Sequence, residues 1–254
     1  MALMTRNLDW PDCRNTRDLG GIPARGGVTR GKVLIRSDNV GSLTPEGRQA
    51  MIGYGITTVI DLRAESELAG SPGPPFSNFQ STSPVPSLEP QAEGNGPAIL
   101  HLALVDDATV PALNAAATMP ERYRLMLDRC QPALGAIFNA IAKADGPVLF
   151  HCFAGKDRTG LVAAMMLSLS GVEDEAIGAD YAETDTQLAT RYVEWLAKAA
   201  PERLEEMRAE LRCPPAWMLG TLDYAEQKWG DLESYLEAAE VSPTNIDRLS
   251  AKLS

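Results

Sequence analysis

The stretch His151-Cys152-Phe153-Ala154-Gly155-Lys156-Asp157-Arg158-Thr159-Gly160 sets a thiol and a guanidinium around a turn. Five residues separate Cys152 from Arg158. At that spacing a tight loop aims successive backbone N–H groups at one oxyanion while the arginine fork closes the ring bidentately. Ahead of the loop, Val148-Leu149-Phe150 reads as a buried strand. Behind it, Leu161-Val162-Ala163-Ala164-Met165-Met166-Leu167 reads as a buried helix stopped near Gly171. The segment is therefore a strand-to-helix turn. A helix N-terminus adds the positive end of its dipole to the loop amides, which favours both a bound dianion and the thiolate of Cys152. The bare cysteine-to-arginine spacing is a weak signal in a chain with 4 cysteines. The weight comes from His151, Gly155, the Thr159 hydroxyl and the strand-before, helix-after context coinciding.

A second block lies near the N-terminus: Asn15-Thr16-Arg17-Asp18-Leu19-Gly20-Gly21, then Gly31-Lys32-Val33-Leu34-Ile35-Arg36-Ser37, then Gly55-Ile56-Thr57-Thr58-Val59-Ile60-Asp61-Leu62-Arg63. With the decapeptide, these segments resemble, in order, the bacterial branch of the cysteine-dependent tyrosine phosphatase superfamily. The resemblance is good over residues 14–65 and 121–185 and thin between them. It implies a phosphatase-like α/β fold, a small mostly parallel sheet flanked by helices with a helical C-terminal extension. It implies too that one catalytic domain spans 1–254 and hydrolyses phosphomonoesters through a phosphocysteine intermediate, with phosphotyrosine the first expectation and phosphoserine, phosphothreonine and phosphoinositides behind it.

In that scheme Cys152 is the nucleophile, and Arg158 with the amides of Phe153, Ala154, Gly155, Lys156, Asp157 and Arg158 binds the phosphoryl oxygens. Thr159 sits where the family uses a hydroxyl to ease thiolate departure, and His151 orients the loop. Asp157 is the first candidate for general acid, since it lies within the loop and resembles the aspartate that the bacterial branch and the myotubularin lipid phosphatases carry there. Asp106 and Asp107, upstream of the cysteine, are the conventional alternative. Asp61, with Arg63 at the end of a strand, is a third option and the expected ion-pair partner of Arg158 or Lys156. Lys156 either widens specificity towards lipid phosphates or merely balances Asp157.

Composition narrows the alternatives. The chain has 254 residues, a 44 % hydrophobic content and a net charge of −11, enough for one sizeable core and unfavourable for nucleic acid or anionic membranes in bulk. Residues 1–48 nevertheless carry a local charge of +3, so Arg25, Arg30, Lys32 and Arg36 are candidates for an anion patch beside the loop, weighed against a solvated hairpin. No apolar run is long enough to span a bilayer, and no Sec-type signal is visible at Met1-Ala2-Leu3-Met4. A cytoplasmic location is the default, with export lacking a cleavable signal left open. Cys13, Cys130, Cys152 and Cys213 are widely spaced, and with only His101 and His151 to complete a set, no metal site and no cofactor are implied. Cys13 or Cys130 resolving an oxidised Cys152 is the sharper idea for the remaining thiols, and burial as inert thiols the commoner one.

Along the chain, a hairpin is expected over 14–37, a helix opened by Thr44-Pro45-Glu46 and closed by Gly53 to Gly55, and a central strand at Thr57-Thr58-Val59-Ile60. Residues 71–97 read as a long, flexible surface excursion rich in Pro, Ser and Gly. A strand follows over 99–105, then Asp106-Asp107 and an alanine-rich stretch with the character of a short helix, for which the resemblance implies a place over the site as a lid. Pro120 to Lys143 reads as one long helix bent at Pro132. The aromatic residues Tyr181, Tyr192, Trp195, Trp217, Trp229 and Tyr235 have the spacing of helix packing. Three rivals remain: a phosphate-binding pseudo-enzyme, a rhodanese-like sulfur transferase and a phosphatase of lipids or inositol phosphates. The intact thiol, arginine and Thr159 weigh against the first two.

Overall fold

The computed structural model describes residues 6–70 and 96–254. The expected excursion over 71–97 falls almost wholly outside them. Strand β1 (Arg17–Asp18) leads through a small hairpin, β2 (Pro23–Ala24) with β3 (Gly27–Val28), into β4 (Leu34–Ser37). Helix α1 (Pro45–Tyr54) then precedes β5 (Thr58–Asp61), and α2 (Glu65–Gly70) precedes β6 (Ala98–His101). Helices α3 (Val110–Asn114), α4 (Met119–Arg129) and α5 (Gln131–Lys143) lead to β7 (Val148–His151) and α6 (Asp157–Leu169). The rest is helical, as expected: α7 (Asp174–Gln187), α8 (Ala189–Lys198), α9 (Leu204–Leu211), α10 (Pro215–Trp229), α11 (Leu232–Ala238) and α12 (Pro243–Ser250).

Five of the strands form one sheet in the order β1-β4-β7-β5-β6, parallel except for β1 at its edge, while β2 and β3 pair apart from it. Strand β7 lies at the centre, with His151 in register with Ser37 on one side and Asp61 on the other. The period of two along each strand divides the core. Leu34, Ile60, Val148 and Phe150 face the large helical layer built on α5, α6 and α10, while Ile35, Val59 and Leu149 face the smaller cluster of Trp10, Leu43 and Met51 beneath α1. Parallel strands buried on both faces explain why these runs are continuously apolar. All four parallel strands end at the same edge, and the chain leaves β7 there through Cys152.

Local signals account for most boundaries. Thr44 caps α1 by accepting from the Gly47 amide at 3.1 Å, and Gly55 ends that helix with φ 97°. The long helix expected over 120–143 is instead two helices. Pro132 has no N–H to give and its ring crowds the carbonyl four residues back, so the chain breaks at Cys130 (φ −107°, ψ 19°) and α5 starts anew with proline in its first turn. Strand β6 ends at His101, short of the expected 105. Among the described residues no helix is long and apolar enough to cross a membrane.

Candidate active site

The loop between β7 and α6 is held from outside by its own carbonyls. The Asn39 amide donates to Phe153 O at 3.1 Å. Asn15 Nδ2 donates to Ala154 O and Gly155 O, both at 3.0 Å, and Arg36 Nη2 reaches Gly155 O at 2.7 Å. Because each peptide is planar and trans, carbonyls fixed outward turn the following amides, those of Ala154, Gly155 and Lys156, to the opposite side. The inner face of the loop thus presents N–H groups at the start of α6, where the helix dipole adds to them. Gly155 has φ +66°, and a Cβ there would lie 2.6 Å from both Asp38 N and Ser37 O. Only glycine meets both demands.

The tethers are themselves anchored. Asp180 on α7 binds Arg36 Nη1 at 2.6 Å and Arg17 Nε at 3.1 Å, and it also pairs with Arg6. Arg17 in turn donates to Asn15 Oδ1 at 2.5 Å, which aims the Asn15 amide at the loop. Burial pushes the Asp180 carboxyl up, yet Arg17, Arg36 and Arg6 outweigh it and hold the group far below the usual carboxylate range. Asp38 is also fully buried, accepting from the amides of Arg14 and Asn15 and from Arg191 on α8 at 3.1 Å. Burial wins over these contacts, and its carboxyl is raised.

On the inner side, Arg158 is gripped by Glu67 of α2 through both terminal guanidinium nitrogens, Nη1 to Oε2 and Nη2 to Oε1, the latter at 2.7 Å. Burial tends to raise Glu67, but Arg158 more than offsets it and the carboxyl stays below its ordinary range. Asp61 does not fill that place. It binds Arg63 bidentately (2.9 and 2.6 Å), with both side chains fully buried, and lies 3.8 Å from His151 Nε2. The expected pairing of Asp61 with Arg158 or Lys156 is therefore replaced: two residues along, Arg63 is close enough to take the carboxylate first. His151 turns Nδ1 to Cys152 O at 3.2 Å, and burial holds its imidazole below the usual range.

Cys152 is buried, with 2 % of its surface exposed. Thr159 Oγ1 is buried and, among the described residues, has no hydrogen-bond partner. Lys156 is turned into the protein: Nζ donates to Glu210 O at 2.6 Å and to Asp157 Oδ1 at 3.1 Å, and lies over the Trp217 ring. It balances Asp157. Asp157 opens α6 with its side chain about one-third exposed and accepts from Tyr123 as well. Burial acts to raise this carboxyl, but Lys156 and the Tyr123 hydrogen bond leave it below the ordinary range.

Asp106 and Asp107 are occupied elsewhere. Asp106 caps the turn at Thr109 (2.7 Å), and Asp107 accepts from Ser66. Both border a cavity of about 500 Å³ with His101, Arg129 and Cys130. Helix α3, the expected lid, packs against α4. The anion patch is not assembled either. Arg25 binds Gly171 O and Glu173 beyond the C-terminal end of α6, and Arg30 binds Leu253 O and Lys252 O. A helix of 13 residues puts that end roughly 20 Å from the loop. Only Arg36 reaches the loop, as a buried strut. Cys13, Cys130 and Cys213 are free and buried, and burial pushes each thiol up, Cys130 to about 11 and Cys213 to about 12.

Sequence reasoning did not find Glu67, Tyr123, Asp38 or Asp180. Asp180 had a signal: with Ile177, Tyr181 and Thr184 it shares the buried stripe of α7, where a lone carboxylate requires a cation. Of the aromatics assigned to packing, Trp229 and Tyr235 stack edge to face as expected. Trp195 also stacks on Phe153 (6.0 Å, 23°), and Tyr181 and Trp217 border the loop.

A family model described as the tyrosine phosphatase family matches residues 8–254. The chain is 30 % identical to the triple specificity protein phosphatase PtpB of Mycobacterium tuberculosis, covering 87 % of this chain and 90 % of that protein. It is 27 % identical to a tyrosine-protein phosphatase of Nostoc commune over 96 % of this chain and 78 % of the relative. Among solved structures, TpbA of P. aeruginosa overlaps 85 % of this chain and 99 % of its own at 15 % identity, with a TM-score of 0.31. With the loop, its arginine and its thiol in place and the family model covering nearly the whole sequence, the chain belongs to the tyrosine phosphatase family and is a protein tyrosine phosphatase.

Proposed function

We propose that one catalytic domain hydrolyses phosphotyrosine in proteins through a phosphocysteine intermediate on Cys152. The Cys152 thiolate attacks phosphorus, the ester oxygen departs with the proton of Asp157, and the phosphoryl group rests on sulfur. Water then attacks phosphorus, Asp157 takes the water's proton, and the thiolate and inorganic phosphate are released. Arg158 and the amides from Phe153 to Arg158 carry the oxygens throughout. The observation that carries this proposal is the outward tethering of the Phe153, Ala154 and Gly155 carbonyls, which turns the amides after them inward.

Other features support the assignments. The buried Thr159 hydroxyl, without a hydrogen-bond partner among the described residues, suits a group that steadies the sulfur as it leaves. The Glu67 grip holds Arg158 in one orientation, and Asp61 with Arg63 braces His151 behind the nucleophile. A carboxyl held low is a poor acid in the free protein, but a phosphoryl dianion arriving beside it favours the protonated form. Asp106 and Asp107 have their carboxylates tied to Thr109 and Ser66, which favours Asp157 over them. Because one relative is named a triple specificity phosphatase, phosphoserine and phosphothreonine peptides and phosphoinositides belong beside phosphotyrosine in the substrate panel. The buried partners of Lys156 favour its charge-balancing role over a role in lipid recognition.

The test is phosphate release from that panel without added metal, with Cys152→Ser alongside. Turnover that is highest on phosphotyrosine and abolished by the substitution is the expected result. Release by the Cys152→Ser protein at the parent rate sinks the mechanism, and binding of phosphopeptides without any release points to the pseudo-enzyme.

A further inference from the structure

The donors converging on Asp157 are arranged asymmetrically. Tyr123 Oη and Lys156 Nζ both donate to Oδ1, and among the described residues no hydrogen bond is made to Oδ2. Tyr123 has a single hydroxyl proton, and it is used on Asp157. The 2.6 Å contact between Tyr123 Oη and Tyr181 Oη must therefore have Tyr181 as donor. A directed chain results, Tyr181 to Tyr123 to Asp157, each donor polarising the next.

The two phenols have no freedom to leave it. Tyr123 is fully buried on α4 beside Met119, Met126 and Leu127, and its ring meets Tyr181 edge to face at 6.3 Å and 88°. Tyr181 lies against Gly160, where a Cβ would come within 3.2 Å of its ring. Two core helices, α4 and α7, thus fix one oxygen of a carboxyl that is itself about one-third exposed.

We propose that Tyr123, backed by Tyr181, is a positioning residue for the general acid: it fixes Oδ1 of Asp157 so that Oδ2 is the oxygen that gives its proton to the leaving group and later takes one from water. The inference rests on Asp157 being the acid. The other groups facing Asp157 are Lys156 and Arg158 of its own loop, Tyr192 of α8 and Cys213 ahead of α10. Among the described residues, Tyr123 and Lys156 are the donors to the carboxyl, and Lys156 shares its donors with Glu210 O. Tyr123 stabilises the ionised form of Asp157, so removing its hydroxyl raises the pH at which the acid form is lost.

The experiment measures pH profiles of kcat/KM, and kcat itself, for 4-nitrophenyl phosphate and phenyl phosphate with the parent protein, Tyr123→Phe, Tyr181→Phe, Asp157→Asn and the Tyr123→Phe/Asp157→Asn pair. Phenol is the poorer leaving group and needs the acid more. Asp157→Asn is expected to erase the basic limb and to slow phenyl phosphate more than the nitrophenyl ester. Tyr123→Phe is expected to move the basic limb up by about one pH unit, as loss of a hydrogen bond to a charged group does. It should also slow phenyl phosphate selectively and add nothing to Asp157→Asn. Tyr181→Phe should move the limb the same way by less, and it carries the test if Tyr123→Phe does not fold. An unmoved limb with equal losses on both esters overturns the positioning role while Asp157→Asn still discriminates between them. Asp157→Asn treating the two esters alike removes the acid assignment itself, and the inference with it.

Discussion

The two faces of the loop between β7 and α6 are held by opposite means. Behind it, Asn15, Arg17, Arg36, Asp38 and Asp180 are all buried and their contacts nearly saturated. At its mouth, the contacts are made by side chains that solvent still reaches: 15 % for Arg158, 28 % for Glu67 and 31 % for Asp157. A buried ion pair broken on one side leaves a charge that nothing can solvate, whereas one near water is screened. The rear contacts are therefore expected to govern folding and the front ones the proposed turnover, although both touch the same few residues.

Asp180→Asn is the most severe way to test that division. It takes the counter-ion from the fully buried guanidinium of Arg36 and leaves Arg17 only the more distant Glu183 at 3.8 Å, and equilibrium unfolding at neutral pH should show a loss of about 3–5 kcal/mol. The loss has a pH signature. The folded carboxyl is depressed, so its stabilisation is present above the unfolded value of about 3.9 and disappears as pH falls through the lower folded value. Parent and variant should converge in strong acid. A gap that stays constant down to the acid limb would mean that the ion pairs are not its source.

Gly155→Ala is next. It meets both a left-handed backbone and the Asp38 and Ser37 main chain, so roughly 2–3 kcal/mol of stability should be lost together with most of the turnover. Near-parent kinetics would show that the loop tolerates a different path. Glu67→Gln has the smallest effect on folding, under about 1 kcal/mol, because its partner is partly solvated. It should instead raise KM for phosphomonoesters by about 3- to 10-fold as Arg158 loses its orientation. If it destabilises as much as Asp180→Asn, front and rear do not differ in kind.

The same division marks what the residues disclosed unaided. The loop, its flanking strand and helix, the capped α1 and the helical C-terminal part were legible because each is encoded by neighbours in sequence: apolar runs, a cap, a glycine. The break at Cys130 was half-legible, since Pro132 marked the place but not whether α4 and α5 would bend or separate. The partners of the loop were not legible, because the pairing of Arg36 with Asp180, or of Glu67 with Arg158, is decided by which strand lies beside which. Asp61 shows the hazard. It stands at the correct strand end, yet Arg63, two residues away, claims it.

Asp180 and Tyr181 are adjacent on α7, and one serves the rear of the loop while the other serves its mouth. A decapeptide transplanted onto another strand-to-helix turn would bring its thiol and its arginine and leave behind everything that orients them. The portable unit is the loop with the N-terminal block and this one helical turn, so a graft, or a search for distant kin, that keeps only the cysteine-to-arginine spacing would carry over the letters of the site without its grammar.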